Sequence, residues 1–153
     1  MFITKLKENE VFVFGSNEGG FHGEGAAAYA FRFDSSIPWR RDPFMLAALD
    51  SPKGSRKHVG KWAILGTGRG YMEGQEGKSY AISTVKFISG KRYSLPLDEI
   101  ESQISEFIYF AKEHPELTFL VTPVGTGYAQ YSKDKMSSIW SKYTLTDNIK
   151  LLY

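Results

Sequence analysis

The fold of this chain is decided by the stretch Val11-Phe12-Val13-Phe14-Gly15-Ser16-Asn17-Glu18-Gly19-Gly20-Phe21-His22-Gly23-Glu24-Gly25-Ala26-Ala27-Ala28. Its first four residues are apolar and favour β structure, which is typical of a strand buried on both faces of a sheet. A glycine-rich loop follows, and the alanine-rich run 26–32 has small side chains and high helix propensity. The stretch therefore predicts a strand, a loop and a closely packed helix, as in α/β domains.

Outward from this unit, the sequence continues to alternate between strand and helix patterns. Apolar runs predict strands at 61–65, 79–85, 117–122 and 149–153, with a glycine-rich loop at 66–77. Helices are predicted at 44–49, 97–113 and 132–143. The clearest is 97–113, where apolar residues recur at helical spacing and Pro115 marks the end. The alternation predicts a three-layer α/β/α fold around a mixed, mostly parallel central sheet.

The length of 153 residues fits a single domain spanning 1–153. The stretch 34–60 is the least regular part and contains three prolines, so we interpret it as an insertion or a long functional loop. It also carries most of a basic cluster in a chain whose formal net charge is only +2. The cluster comprises Arg40, Arg41, Lys53, Arg56, Lys57, His58 and Lys61.

Composition excludes several classes of protein and site. The chain has no cysteine, which rules out disulfide scaffolds, thiol catalysis and cysteine-ligated metals. No apolar run approaches the roughly 20 residues that a membrane span needs. The segment Met1–Lys7 is too short and too polar for a signal peptide. We expect a cytoplasmic protein without a membrane partner, and the histidines are too scattered to predict a metal site.

A second glycine loop, Gly125-Thr126-Gly127, follows the predicted strand 117–122. Because parallel strands end at one edge of a sheet, both glycine loops should meet there, where α/β proteins bind ligands. Glycines let the backbone approach an anion, so a phosphate-type ligand is expected. Neither common phosphate motif is present. Position 72 is methionine where a P-loop needs glycine, and Gly23-x-Gly25-x-x-Ala28 stands too far from its strand for a dinucleotide fingerprint.

Three side chains of the first loop are candidates for chemistry. The Asn17 carboxamide could bind ribose hydroxyls or position a water, or it could instead cap its own loop. His22 and Glu24 lie two residues apart and could form an acid–base pair, or they could be merely solvated. The sequence leaves each pair of alternatives open.

In order, these motifs resemble the macrodomain superfamily, and more closely the short macrodomain-like proteins of bacteriophages and bacteria. The resemblance covers about residues 10–140, apart from 34–60. It rests on the Phe-Gly-Ser-Asn loop at 14–17, the stretch His22–Ala27, the loop 66–77 before Tyr80, and Val121–Tyr128. It implies a macrodomain-like fold and a bacterial, or phage-encoded, cytoplasmic protein.

The resemblance also implies a set of site residues. Asn17 would contact the distal ribose and, in a hydrolytic version, position the water. His22 or Glu24, proposed above from their place in the loop, would be the acid–base group, so Asn17, His22 and Glu24 are the candidate catalytic residues. The ligand-binding positions would be Gly15, Ser16, Asn17, Gly20, Gly23, Gly25, Ala26, Gly125, Thr126, Gly127, Tyr128 and Ala129. The aspartate motif with which macrodomains select adenine is absent from Lys7–Glu10.

The function expected from these observations is binding of ADP-ribose or a related nucleotide diphosphate-ribose, without a cofactor or metal. The chain would then hydrolyse an ADP-ribosyl linkage or sequester a nucleotide signal. The alternative is a non-enzymatic module that binds nucleic acid or protein through the basic 34–60 stretch and Trp39. The sequence does not indicate an oligomeric state.

Overall fold

A computed structural model describes residues 3–153 as a mixed sheet flanked by helices. The strands are β1 (Glu10–Asn17), β2 (Gly70–Glu73), β3 (Lys78–Ile88), β4 (Lys91–Ser94), β5 (Thr118–Val121) and β6 (Ile149–Leu151). The helices are α1 (Gly25–Phe31), α2 (Pro43–Asp50), α3 (Leu97–Glu113) and α4 (Lys133–Trp140). Short 3₁₀ turns cover Trp39–Arg41 and Arg56–His58.

The strand order is β2-β3-β1-β5-β6, and β4 also pairs with β3. Strands β3, β1, β5 and β6 run parallel, whereas β2 and β4 run antiparallel to β3. The predicted α/β class with a mixed, mostly parallel sheet is confirmed.

Strand β1 lies at the centre and explains why its sequence is apolar without alternation. Val11 and Val13 belong to a core cluster with α3 and α4, while Phe12 and Phe14 belong to a second cluster with α1 and α2. Successive side chains of a strand point to opposite faces, so both faces of β1 are buried. The two clusters form the interfaces of three layers.

Helix α3 spans the predicted residues. Ile100, Ile104, Phe107 and Ala111 are completely buried at helical spacing, and two acids lie in the first turn. The remaining buried residue of the helix is polar. Gln103 accepts a hydrogen bond from the backbone N–H of Ser83 at 2.7 Å and donates one to the Ser83 carbonyl at 2.7 Å.

The strand predicted at 61–65 is wrong, because this segment pairs with a helix end instead of with the sheet. The backbone N–H groups of Lys61 and Trp62 donate to the carbonyls of Phe31 and Ala30, at 2.8 Å each. Trp62 and Ala63 are buried as an apolar run should be, but against α1. The expected loop 66–77 contains β2, and β4 was not predicted.

The stretch 34–60 is more regular than its prolines indicate. Its predicted helix is confirmed as α2, which buries Met45 and Ala48 in the core cluster of α1. Asp42 caps α2 and forms a buried ion pair with Arg32, with 2.6 Å between Nε and Oδ2. In the described range 3–153, no helix combines the length and apolarity needed to cross a membrane.

Candidate functional site

A cleft of about 1010 Å³ opens where β1 and β5 end, and both glycine loops line it. Ten of the twelve predicted ligand-binding residues line this cleft: Gly15, Ser16, Asn17, Gly23, Gly25, Ala26, Gly125, Thr126, Gly127 and Tyr128. An ideal Cβ on Gly15 would lie 3.8 Å from the backbone nitrogen of Gly125, so the two loops lie close together. The meeting of the loops follows from the parallel pairing of β1 with β5.

Gly20 and Ala129 lie outside the cleft lining. Gly20 has φ +65°, and a Cβ there would come within 2.4 Å of the backbone of Gly66 and Thr67. Its carbonyl accepts a hydrogen bond from the Gly66 N–H at 2.9 Å. The glycine is therefore required by close backbone packing. Ala129 is buried, and its carbonyl accepts from the Ser94 hydroxyl.

Several backbone N–H groups of the cleft have no hydrogen-bond acceptor within the described residues. In the second loop these are Gly125, Gly127 and Tyr128, and in the first they are the five consecutive residues 23–27. Gly23, Ala27 and Gly125 are buried, and buried N–H groups are almost always paired in folded proteins, whereas Glu24, Gly25, Gly127 and Tyr128 are exposed residues. Two such runs in one cleft provide donors for an anionic ligand.

The Ser16 hydroxyl is another donor without a partner in residues 3–153. Its Oγ atom is buried, and the residue lines the cleft at the end of β1. A buried hydroxyl that makes no hydrogen bond costs free energy, which a ligand hydroxyl or phosphate oxygen would recover. This position favours the predicted role of Ser16 in ligand binding.

Asn17 lines the cleft, but its side chain organises the first loop. The Asn17 Nδ2 donates to the Phe21 carbonyl at 2.7 Å, and Oδ1 accepts from the Phe21 N–H at 3.0 Å. Of the two alternatives for Asn17, these contacts correspond to the one in which its side chain caps its own loop. The carboxamide keeps one further donor and one further acceptor position, so the loop contacts do not exhaust its hydrogen-bonding capacity.

His22 is completely buried and does not line the cleft. Its ring lies between Phe14 and Phe31, with centroid distances of 5.5 and 5.9 Å, and Nε2 is 2.9 Å from the Ile64 carbonyl. Burial lowers the pKa of His22 from its ordinary value of 6.5 to about 4. These surroundings favour a structural role over acid–base catalysis, and they separate His22 from Glu24.

Glu24 is exposed and lines the cleft immediately before α1. It is the one carboxylate among the lining residues, and its side chain does not cap the helix. A second cavity of about 540 Å³ continues from this end of the cleft, between α1 and residues 35–40. Glu24, Arg40 and Tyr128 line both spaces.

The tertiary structure adds a hairpin that sequence reasoning missed. Strands β3 and β4 meet at Ser89-Gly90, where both residues have positive φ, at 50° and 79°. Ser-Gly is a turn signal that could have located this hairpin, although the following strand, Lys91–Ser94, is polar. Phe87 and Arg92 are cross-strand partners in the hairpin, and both line the cleft.

Two arginines supply positive charge to the cleft. The Arg92 guanidinium lies 3.9 Å from the ring centroid of Tyr128, and that of Arg40 lies 5.7 Å from the Trp39 ring. The Phe21 ring meets the edge of Trp39 at a centroid distance of 5.2 Å. Arg40 and Trp39 come from the stretch 34–60, which was interpreted as an insertion or a long functional loop.

Comparisons with protein-family models, with curated proteins and with solved structures find no match to this chain. Within residues 3–153, no group of three or more His, Asp or Glu side chains is arranged to hold a metal ion.

Proposed function

We propose that this protein binds ADP-ribose or a related nucleotide diphosphate-ribose in the cleft between its two glycine loops. The observation that carries the proposal is the set of backbone N–H groups without acceptors in residues 3–153, contributed to one cleft by both loops. Backbone donors of this kind, with arginines beside them, are typical of phosphate sites.

The resemblance to macrodomains implies one orientation of such a ligand. The diphosphate would lie against Gly125–Tyr128, with Arg92 beside it. The terminal ribose would lie against Gly23–Gly25, which also border the second cavity. The order of these loops is the order on which the resemblance to macrodomains rests.

Binding is better supported than hydrolysis. Of the three side chains predicted to be catalytic, His22 is buried outside the cleft lining and Asn17 is engaged by the Phe21 backbone. Glu24 would be the remaining acid–base group for a hydrolytic reaction, because it faces the region proposed for the terminal ribose. Loss of turnover, but not of binding, in Glu24→Gln would assign it that role.

The nucleic-acid or protein module built on residues 34–60 is less well supported. Two of its key residues, Trp39 and Arg40, line the same cleft as the glycine loops. Part of the stretch is occupied in holding α2 against the core, through Asp42 and Met45. We therefore include Trp39 and Arg40 in the nucleotide site, whereas the exposed residues Lys53, Arg56 and Lys57 line neither cavity.

Isothermal titration of the full chain with ADP-ribose tests the proposal. We expect saturable heat with a stoichiometry of one and a rise in Tm, since a ligand that binds only the folded state stabilises it. The control is Gly127→Val, whose Cβ would meet no atom within 4 Å and whose side chain would occupy the cleft. This variant should fold and lose binding. Absence of heat and of a thermal shift at millimolar ADP-ribose would overturn the proposal.

A further inference from the structure

The cleft has one aromatic ring that nothing else in the described chain uses. Of the residues that the structure describes, four aromatic ones line it: Phe21, Trp39, Phe87 and Tyr128. Phe21 and Trp39 pack on each other, and Tyr128 is covered by Arg92. Within residues 3–153, Phe87 makes no ring–ring or cation–ring contact, and it is 50% exposed. Its free face is available to a flat ligand group.

Phe87 also lies beside residues that we propose to bind the diphosphate. It pairs across the hairpin with Arg92, so the two side chains share one face of the ribbon. Arg92 in turn lies over Tyr128, whose backbone N–H has no acceptor in the described chain. A nucleotide with its diphosphate between Arg92 and this loop would bring its base to the Phe87 ring.

At the hairpin end of the cleft, few side chains of the described chain could hydrogen-bond to the edge of a base. Its polar side chains are Thr84, whose hydroxyl donates to the Ser16 carbonyl at 3.3 Å, and Arg92 beside the phosphates. The Asn17 carboxamide is held by the Phe21 backbone. The lining carboxylate, Glu24, lies where the cleft joins the second cavity, which Tyr128 also borders.

From this geometry we infer that Phe87 is the platform on which the base stacks, and that the site accepts nucleoside diphosphate-riboses with little regard to the base. The inference rests on the proposed function and names its ligand class. Every base has an aromatic face, so stacking tolerates different bases, whereas discrimination needs hydrogen bonds to the base edge. The diphosphate and terminal ribose would provide the specificity.

The test compares ADP-ribose, GDP-ribose and UDP-ribose, which differ only in the base, by isothermal titration of the wild-type chain and two variants. Phe87→Ala removes the platform. Tyr93→Ala is the matched control, because Tyr93 is 45% exposed in the same hairpin, pairs with Lys86, and does not line the cleft.

We expect the three ligands to bind with Kd values within about 10-fold of one another. Phe87→Ala should weaken all of them by roughly 5- to 150-fold, the range for loss of one stacked base, and Tyr93→Ala should leave them unchanged. If ADP-ribose binds and the other two are more than about 100-fold weaker, the inference fails while the proposed function stands. Equal effects of the two variants would overturn the role of Phe87. If none of the three ligands binds, the proposed function fails as well.

Discussion

Arg92 is the side chain whose predicted contribution to binding can be isolated most cleanly. Its guanidinium lies over the Tyr128 ring and lines the cleft, next to backbone donors of the second glycine loop. Its sequence neighbour Lys91 is exposed, pairs with Ile88 and does not line the cleft. Two cations of equal charge therefore differ in whether they reach the site.

Arg92→Gln should raise the Kd for ADP-ribose by about 10- to 100-fold, because a hydrogen bond to a charged group contributes about 1.5–3 kcal/mol. Isothermal titration at fixed ionic strength measures the change. Lys91→Gln removes the same charge and should leave the Kd nearly unchanged. Equal losses in the two variants would show that general electrostatic attraction, and not a contact of Arg92, provides the affinity.

His22 predicts a specific pH dependence of stability. Burial lowers its pKa in the folded chain to about 4, against 6.5 in an unfolded one. Between these values the unfolded state binds a proton that the folded state does not, so stability falls as the pH falls from 6.5 towards 4. The loss is about 2 kcal/mol between pH 7 and pH 5, since the slope approaches about 1.4 kcal/mol per unit between the two pKa values.

Urea unfolding at pH 7 and pH 5 measures this loss. His22→Gln can keep the hydrogen bond to the Ile64 carbonyl but has no group that titrates in this range, so its stability should change little between the two pH values. His114→Gln, at an exposed position, is the control and should keep the wild-type slope. An unchanged slope in His22→Gln would contradict the assignment to His22.

At the scale of elements, α3 and β3 are joined by a side chain as well as by apolar packing. The pairing of β1 with β3 shifts register after Ser16 and Ser83, where β3 continues towards the hairpin. Gln103 of α3 pairs with both backbone groups of Ser83 at this point. The helix thereby supports the part of β3 that leads to Phe87 and the cleft.

Gln103→Met should lower the free energy of unfolding by about 2–4 kcal/mol, because it leaves a buried N–H and a buried carbonyl without partners, at about 1–3 kcal/mol each. Chemical denaturation with circular dichroism measures the change. Ser102→Ala, at the neighbouring exposed position of α3, should be within about 0.5 kcal/mol of wild type. A Gln103→Met chain as stable as wild type would show that the pairing with Ser83 contributes nothing.

Over the whole molecule, β1 makes the two core clusters dependent on each other. Its alternate residues belong to different clusters, Val13 to that of α3 and α4, and Phe14 to that of α1 and α2. If β1 unfolds, each cluster loses the β1 side chains that form part of its contact with the sheet. The three layers should therefore unfold together in one cooperative transition.

Tryptophan fluorescence can follow each cluster separately. Trp62 is buried in the cluster of α1 and α2, and Trp140 in that of α3 and α4. In a Trp39→Phe background, Trp62→Phe and Trp140→Phe each leave one core probe. Within each variant the fluorescence transition should coincide with that from circular dichroism, as expected of two-state unfolding. A transition that is separate for one probe would show that the layers unfold independently.

The sequence by itself determined the fold class, the limits of α3 and the meeting of the two glycine loops. Each of these follows from local patterns: a strand apolar on both sides, a helical spacing of apolar residues, and loops placed directly after parallel strands. Local patterns failed at 61–65, where an apolar run was assigned to the sheet. The physical reason is that Trp62 can be buried against the end of α1 as well as in a strand, and an apolar run does not distinguish the two.

Only the tertiary structure decided which side chains reach the cleft. Residues distant along the chain, Arg40 and Arg92, line it together, while His22 within the first loop is turned into the core and Asn17 is held by its own loop. Spacing along the chain gives no information on these outcomes, because they depend on long-range contacts with the hairpin, with residues 35–40 and with Ile64. The sequence placed the glycine loops together, and the packing around them determined the chemical groups that a ligand would meet.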